Sequence, residues 1–359
     1  MNKQKKILFL LPYPIRRAPS QRFRVEAFFP YLKEKGFTFK THTFFDDSVW
    51  KILYQQGSVL QKGWGVTKGF VSRWVILLFE AWRYDFIFIH REAAPIGPPV
   101  FEWILAKLFR KRLIYDFDDA IWIPNTSNEN KLANWFKAFW KVRHICKWAY
   151  KVVGGNDYLC SYAGNFNRNI VKIPTCVDIN RHTNALKVSH QEKLIVGWTG
   201  SHSTLSYLDA IVPVVEKLQQ DFKFTFLVIS NKAPELKLRD WVFIRWSEKT
   251  EIEDLLKIDI GIMPLKNDEW SEGKCGFKII QYLALGIPAV ASPVGVNSKI
   301  IQDGLSGFLC NTEEEWVQVL KNLLTDACLR KQMGNEGRKK IVEEYSVQSQ
   351  KEKFVHLFA

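Results

Sequence analysis

The stretch SEGKCGFKIIQYLALGIPAVASPVG, residues 271–295, contains two elements that decide the fold class. It predicts an apolar helix from Phe277 to Leu285, which ends at Gly286 because glycine readily adopts the left-handed conformation of a helix C-terminus. Residues 288–292 predict a short buried strand, followed by a Pro-Val-Gly loop. Lys274 and Gly276 precede the helix, at the end where the helix dipole favours negative charge. The stretch therefore predicts an anion site at the start of this helix.

Strand patterns alternate with helical patterns along the whole chain, which is typical of doubly wound α/β sheets. In the first half the sequence predicts a helix over residues 22–36 and strands at residues 6–11, 85–90, 112–119, 151–159 and 170–174. In the second half a strand beginning at residue 194 leads through a small polar loop into a helix, and further strands follow at residues 224–230, 242–246, 259–265 and 288–292. A polar stretch without apolar periodicity, residues 178–193, separates the two halves. The chain is therefore predicted to form two α/β domains.

The composition is that of a globular protein with two cores. The chain has 359 residues, of which 47% are hydrophobic and 25% charged, and both values are ordinary for globular domains. No run of about eighteen apolar residues occurs, so no spanning helix is expected. The basic, apolar N-terminus is predicted to be a buried strand rather than a signal peptide, because its apolar run is short and ends in prolines. The six cysteines have no paired spacing, which predicts reduced thiols and neither a disulfide framework nor a zinc site.

The net charge of +14 is concentrated in the first half of the chain. Residues 1–180 contain 28 Lys and Arg against 14 Asp and Glu, together with 9 of the 14 tryptophans, whereas residues 181–359 are neutral. This half is predicted to face an acidic and partly apolar partner. Residues 134–151 interleave Trp and Phe with cations, and no nucleic-acid recognition motif accompanies them. We therefore expect an interfacial helix on an anionic membrane, with no nucleic-acid partner.

The loop after the first strand of each half carries candidate phosphate ligands. In the first half the segment PYPIRRAPSQRFR, residues 12–24, lacks the GxGxxG of a dinucleotide-binding dehydrogenase and supplies arginines, with Ser20 as a predicted N-cap. Arg22 and Arg24 are the candidates for a phosphate or pyrophosphate contact. In the second half the segment GWTGSHST, residues 197–204, places Gly200, Ser201 and Ser203 at a strand end, where they cap a phosphate or serve as an ordinary helix cap.

Carboxylates cluster after another strand of the first half. Asp116, Asp118 and Asp119 lie within YDFDDAIW, and like charges so close together need a partner. They orient acceptor hydroxyls in one interpretation, and His90 and Arg91 of the neighbouring strand in the other. His90 is a candidate for contacting the substrate, although a lone histidine at a strand end is more often structural.

The second half resembles the C-terminal half of the family-4 glycosyltransferases, which have the GT-B fold of two Rossmann-like domains facing a central cleft. The resemblance rests on the segments VGWTGSHST, EIEDLLKIDIGIMPL, EGKCGFKIIQYLALGIPAVASPVGV and IIQDGLSGFLC and covers about residues 150–350, while the first half matches in outline. It implies an acceptor-side domain at residues 1–180, a nucleotide-sugar domain at residues 181–340, and a C-terminal helix at residues 341–359 that packs back on the first domain.

The resemblance also implies roles for individual residues. Lys274 stabilises the leaving diphosphate, and Gly276, Phe277 and Lys278 hold the donor. The family usually has two glutamates separated by seven residues, but here Gln281 takes the helical position and Glu272 lies one residue too early. Gln281 can still accept a ribose hydroxyl hydrogen bond, and Arg245 lies where the family holds the base. In the first half, His90 and Asp118 join the catalytic candidates, and Asp119 the acceptor side.

The function implied is retaining transfer of a sugar from a nucleotide-diphosphate donor to a lipid-linked or polysaccharide acceptor. The Asp-any-Asp pair at residues 116–118 is also the metal motif of the other large glycosyltransferase fold, GT-A, but the resemblance to GT-B implies that no metal or other cofactor is needed. The expected location is the cytoplasmic face of the cell membrane. Two alternatives are a GT-B nucleotide-sugar epimerase, which needs no acceptor, and a non-catalytic nucleotide- or membrane-binding subunit.

Overall fold

Two six-stranded sheets, one in each half of the chain, organise the fold. The structure is a computed structural model that describes residues 5–53, 57–124, 137–183 and 193–359. It divides into unit 1, Met1–Thr175 with Lys351–Ala359, and unit 2, Cys176–Gln350. Every strand pairing within the two sheets is parallel. The predicted α/β fold class with two Rossmann-like domains is confirmed.

In unit 1 the sheet has the strand order β2-β1-β3-β4-β5-β6. The strands are β1 (Lys6–Leu11), β2 (Thr38–Thr43), β3 (Phe86–His90), β4 (Arg112–Phe117), β5 (Lys151–Gly154) and β6 (Ile170–Lys172). The helices are α1 (Pro19–Arg24), α2 (Phe29–Glu34), α3 (Asp47–Leu53), α4 (Val59–Phe79), α5 (Val100–Trp103), α6 (Lys141–Trp148) and α7 (Asp157–Gly164). Since β2 and β3 lie on opposite sides of β1, the chain reverses its direction across the sheet between β1 and β3.

Unit 2 has the strand order β12-β11-β10-β7-β8-β9, with the reversal between β7 and β10. The strands are β7 (Leu194–Gly200), β8 (Phe224–Ser230), β9 (Trp241–Arg245), β10 (Ile260–Met263), β11 (Ala289–Ala291) and β12 (Gly307–Leu309). The helices are α8 (Ile179–Thr183), α9 (Val212–Asp221), α10 (Glu251–Leu255), α11 (Glu269–Glu272), α12 (Phe277–Ala284), α13 (Asn297–Ile300), α14 (Glu313–Thr325) and α15 (Ala327–Glu344), and α16 (Val347–Val355) begins in unit 2 and continues into unit 1. Ligands of open α/β sheets bind at such reversals, outside the carboxyl ends of the strands.

Residues 351–359 complete the aromatic core of unit 1. The Phe354 ring stacks on Phe28 with centroids 4.3 Å apart. Phe358 meets Phe9 and Phe88 at 6.2 and 6.3 Å between centroids. The carbonyl oxygen of Phe358 also accepts a hydrogen bond of 2.9 Å from the Lys5 ammonium. Residues 351–359 therefore pack into the same aromatic core as β1.

Two sequence predictions in unit 1 are wrong in detail, and two elements of this unit were not predicted. The helix predicted over residues 22–36 is divided into α1, a 3₁₀ turn at Glu26–Phe28, and α2, because Val25 leaves the helical conformation (φ −126°) and Pro30 has no N–H to continue the helix. The strand predicted over residues 151–159 ends at Gly154, because the Asn156 side chain caps α7. The patterns of β2 and α4 were not recognised from the sequence.

The predicted interfacial helix over residues 134–151 is also wrong in its bounds and in the role of one lysine. Residues 134–136 lie outside the described residues, and α6 covers only Lys141–Trp148. Lys141 is buried, where its ammonium lies 2.7 Å from a Glu92 carboxylate oxygen and donates to the Ala94 carbonyl oxygen. The Lys141 side chain therefore forms its contacts inside unit 1 and not at a membrane surface. Among the described residues, no helix combines the length and the apolar character that crossing a membrane requires.

Candidate functional site

The candidate donor site of unit 2 lies at the reversal between β7 and β10, where the chain after β10 forms α11 and α12. Tyr282 of α12 connects the two strands, since its hydroxyl accepts from the Thr199 N–H at 3.0 Å and lies 3.4 Å from the Ile262 carbonyl oxygen. The hydroxyl oxygens of Tyr207 and Ser271 lie 3.2 Å apart, and this contact connects the segment after β7 to α11. The structure therefore brings the two predicted segments, GWTGSHST and EGKCGFK, to one edge of the sheet.

Gly276 is the N-cap residue of α12 and has a backbone conformation that other residues rarely adopt. Its φ is +67°, and a Cβ there would lie 2.1 Å from the Ile300 side chain. The Asn297 amide oxygen, which is buried and has no hydrogen-bond partner, would lie 3.6 Å from the same Cβ. Only glycine fits between these groups, and the positive end of the helix dipole is presented directly after it.

Two ammonium groups flank Gly276. Lys274 Nζ lies 4.8 Å from the centre of the Trp270 ring, and Lys278 Nζ lies 5.3 Å from that of Trp198, a buried residue of β7. Both lysine side chains are half-buried. An aromatic face attracts a cation through the quadrupole of the ring, and these two contacts place positive charge before and after the residue that caps α12.

The loop after β7 differs from its prediction in one respect. Ser201 occupies the cap position of a 3₁₀ helix, His202–Ala210, but its side chain accepts no capping hydrogen bond and lies 2.8 Å from the Ser203 hydroxyl. Pro213, near the start of α9, separates that 3₁₀ turn from the α-helix. A Cβ on Gly200 would meet the Trp198 ring at 2.4 Å, so the loop approaches this ring closely. The two serine hydroxyls are exposed beside it.

Other donor-site candidates differ in exposure. Gln281 is only 3% exposed, within the second turn of α12. Glu272 is half-buried, and its carbonyl oxygen would lie 2.9 Å from a Cβ on Gly295 of the loop after β11. Arg245 is exposed at the end of β9. Asn231 belongs to no motif and was missed in the sequence analysis; its amide oxygen accepts from the His202 N–H at 2.7 Å and fixes the loop after β7.

We expect Gln281→Leu to weaken nucleoside-diphosphate binding by about 1–3 kcal/mol, because a buried ribose hydroxyl would lose its acceptor. Gln281→Glu has almost the same shape and keeps an acceptor, so its dissociation constant should stay close to that of the wild type. Isothermal titration with UDP measures both values. An unchanged dissociation constant in the Leu variant would remove Gln281 from the site.

In unit 1 the predicted residues form a buried chain of polar contacts at the reversal between β1 and β3. Arg24 Nε lies 3.1 Å from both Asp116 carboxylate oxygens, and its terminal nitrogen donates to the Ile173 carbonyl oxygen at 2.7 Å. Asp116 Oδ2 lies 2.7 Å from His90 Nδ1, and His90 Nε2 lies 3.2 Å from the Ser20 hydroxyl. A carboxylate only accepts, so in the neutral imidazole Nδ1 carries the proton and Nε2 accepts from Ser20.

This arrangement differs from the sequence predictions for Ser20, the predicted N-cap, and for His90, the predicted substrate contact. Ser20 is not the N-cap of α1, since Ala18 takes that position and Pro19 follows it. The His90 ring is completely buried, whereas Ser20 is partly exposed, so the serine hydroxyl is the group of this chain of contacts that reaches the surface.

Burial raises the pKa of the Asp116 carboxyl, but Arg24 and His90 outweigh that effect and hold this pKa below its ordinary value. The carboxylate is therefore charged at neutral pH.

The other two predicted aspartates bind Arg91. Its Nε donates to Asp118 at 2.8 Å, and a terminal nitrogen donates to Asp119 at 2.6 Å. Burial raises the pKa of the Asp118 carboxyl, but Arg91 outweighs it, and the pKa lies below the ordinary value. Arg22 does not join Arg24, because its guanidinium packs over the Phe23 ring at 4.8 Å. In the described part of the chain, no group of three or more His, Cys, Asp or Glu side chains is arranged to hold a metal ion.

Residues 193–326 match the family model described as "Glycosyl transferases group 1", and this range contains the whole β7–β10 site. Among curated proteins no sequence matches the chain.

Solved structures share the fold over the entire chain. A glycosyltransferase from Rickettsia africae superimposes with a TM-score of 0.71 at 14% identity, covering 99% of this chain and 98% of that one. The sucrose-phosphate synthase of Thermosynechococcus elongatus gives 0.69 at 12% identity, with coverages of 99% and 98%. The Anabaena protein HepE in complex with UDP-glucose gives 0.68 at 16% identity, covering 98% of each chain. The family match and the GT-B fold shared with these proteins support a glycosyltransferase.

Proposed function

We propose that this protein is a retaining glycosyltransferase that moves a sugar from a nucleotide-diphosphate donor to a lipid-linked or polysaccharide acceptor. The observation that carries the proposal is the start of α12, where the positive end of the helix dipole follows Gly276 and the ammonium groups of Lys274 and Lys278 lie on either side of Gly276 in the sequence. It lies at the reversal of the sheet, in the domain that matches the glycosyl transferase model.

The chemistry proposed follows from this charge. The bond between the anomeric carbon and the diphosphate oxygen breaks, and the electron pair leaves with the diphosphate. The Lys274 ammonium and the helix dipole stabilise that developing negative charge. The acceptor hydroxyl bonds to the same face of the sugar, and its proton leaves with the diphosphate. This reaction needs leaving-group stabilisation more than a strong protein base, and we propose that it requires no metal.

Unit 1 supplies the acceptor side in this proposal. The Ser20 hydroxyl is held by His90 and Asp116, so it is a polar group of fixed orientation that can receive a hydroxyl hydrogen bond. Arg91 is fixed in the same way by Asp118 and Asp119. The basic character of this half suits an anionic acceptor at a membrane, and we propose that the protein works at the cytoplasmic face of the cell membrane.

Donor binding tests the proposal first. UDP-glucose, the ligand of HepE, is the starting probe, followed by other nucleoside-diphosphate sugars. At one hundred times its dissociation constant a ligand stabilises the native state by about 2.7 kcal/mol, which a thermal-shift measurement detects. A stabilising donor is then incubated with and without membrane lipid extract, and the products are analysed. Sugar transfer that depends on the extract is expected. A changed donor without any acceptor indicates an epimerase, and donor binding without turnover indicates a non-catalytic subunit.

A further inference from the structure

The outer face of α4 exposes large apolar side chains towards both ends of the helix, with Thr67 and Lys68 exposed between the two groups. Leu60 is 89% exposed and Trp64 73%, far more than is usual for such large side chains. At 1.5 Å per residue, the 21 residues of α4 form a stripe about 30 Å long. Most of its residues are three, four or seven positions apart, which places them on one side of α4. Trp82, in the turn after α4, extends the stripe. The stripe, as we call it below, consists of Leu60, Trp64, Val71, Trp74, Val75, Leu78, Phe79 and Trp82.

The inner face of α4 fixes the helix so that the stripe points outward. Cβ atoms on Gly65 and Gly69 would lie 2.4 Å from Val49 and 2.5 Å from Phe44, so the helix packs closely on these residues. Arg73 is buried and donates to the carbonyl oxygens of Leu11 and Ala93, each at 2.8 Å. Turning the stripe inward would break these buried hydrogen bonds, so the stripe is not a displaced piece of the core.

A second exposed apolar segment adjoins the stripe. Trp74 of the stripe meets Phe101 of α5 edge to face, with centroids 5.1 Å apart. After Phe101, the chain exposes Trp103 and Leu108. Beyond Leu108, the Lys111 ammonium donates to the Trp82 carbonyl oxygen at 2.9 Å, which joins the end of this segment to the end of the stripe.

Positive charge lies near the C-terminal end of the stripe. Residues 57–112 contain nine Lys and Arg against four Asp and Glu, and seven of these cations remain when the buried Arg73 and the paired Arg91 are set aside. Two of the acids do not face outward freely, since Glu80 pairs with Lys40 at 2.6 Å and Glu102 is buried. Among the cations, Arg83, Lys107 and Arg110 are exposed near the end of the stripe, and the Arg83 guanidinium lies 5.0 Å from the centre of the Trp82 ring.

We infer that the stripe, together with Trp103 and Leu108, docks the protein on an anionic lipid bilayer. An apolar helix face that carries tryptophans and is bordered by Lys and Arg is the composition of a helix that lies in the headgroup region. Anionic headgroups attract the exposed cations near the end of the stripe. A protein partner of neutral charge would gain nothing from these cations. The inference rests on the proposal that the enzyme works at a membrane, and it moves the membrane contact from residues 134–151 to α4.

Flotation of the full-length protein with vesicles tests the inference. We expect binding to vesicles of phosphatidylglycerol and phosphatidylcholine, and weak binding to phosphatidylcholine alone. The double variant Trp64→Glu with Leu78→Glu should lower the partition coefficient at least about 100-fold, since each large apolar side chain contributes roughly tenfold or more on burial. Trp140→Glu is the control, because Trp140 is 49% exposed, is replaced by the same acid, and lies in the segment 134–151 that the sequence predicts to contact the membrane.

The outcomes separate this inference from the proposed function. Flotation of the double variant like the wild type overturns the inference, as does a wild type that ignores anionic vesicles at low salt. A wild-type dimer in light scattering that the double variant converts to a monomer, without flotation, identifies the stripe as a contact between two copies and also overturns it. Transfer to a soluble acceptor in detergent is measured on the same preparations without vesicles. Its absence in the wild type counts against the proposed function, while vesicle binding is judged separately because it needs no donor.

Discussion

The variant Lys274→Ala is expected to lower the rate of sugar transfer about 10²–10³-fold, the usual effect of removing one charge-stabilising donor from a preorganised site. The Lys274 ammonium lies 4.8 Å from the centre of the Trp270 ring, and Lys274 is three residues before Phe277, the first residue of α12. Its removal leaves the departing diphosphate with Lys278 and the helix dipole alone. Since the developing charge is larger in the transition state than in the bound donor, most of the effect should appear in kcat.

Lys321→Ala is the matched control, because Lys321 is exposed on α14, outside the segments that follow β7 and β10. Its rate should equal that of the wild type. Lys274→Arg keeps the charge with a different shape and should retain part of the activity. Initial rates with UDP-glucose or the donor found in the binding panel give all three values. Near-wild-type turnover of the Ala variant would exclude Lys274 from the chemistry.

The largest effect on stability is expected from Arg24→Met. The Arg24 and Asp116 side chains are each 1% exposed, so the substitution leaves a buried carboxylate without its guanidinium. Breaking a buried pair in this way costs about 3–5 kcal/mol in the free energy of unfolding. Arg17→Met is the control, since Arg17 pairs with Asp47 at 2.7 Å where both are about half exposed, and such pairs contribute about 0–1 kcal/mol. Urea unfolding of both variants measures the difference.

The same pair predicts a pH dependence. The pKa of Asp116 is lowered in the folded chain, so its contribution to stability is fully present above the pKa of the unfolded state, about 4 for aspartate. It is lost as the pH falls through the folded-state pKa. The Arg24→Met variant lacks the group that lowers this pKa. The difference in unfolding free energy between the wild type and the variant should therefore become smaller as the pH falls below that of the unfolded aspartate. A difference that stays constant to the acid limit would contradict this account of the pair.

Much of the fold was predictable because its signals are local. The segment KILFLL is apolar over the length of one strand and forms β1, and Phe277 and Gly286 bound α12 closely because the glycine conformations at both ends are encoded in the sequence. The helix over residues 22–36 failed because its apolar pattern continues through Val25 and Pro30, where the backbone does not. Helix α4 was missed because apolar residues lie on its outer face as well, which removes the periodicity that marks an amphipathic helix.

The candidate site was predictable only in part. Arg24, His90 and Asp116 were found as separate polar residues after three strands, since parallel strands end at one edge of the sheet. Their mutual contacts, and the place of Ser20 above His90, depend on side-chain packing between segments up to 92 residues apart. The burial of Lys141 was hidden for the same reason, because its partner Glu92 lies in another loop. Asn231 and Asn297 carry no motif and are recognised only by what their amides contact.

The stacking of Phe354 on Phe28 has a consequence for how this protein is made. A growing chain leaves the ribosome at about 5–20 residues per second, and N-terminal domains usually fold first. Unit 1 cannot finish in that order, because its aromatic core waits for residues 351–359, which emerge only after all of unit 2. Translation of the intervening 175 residues takes roughly 9–35 seconds at these speeds. During that interval the partly assembled first sheet lacks the rings of Phe354 and Phe358 that contact Phe9, Phe28 and Phe88 in the finished unit.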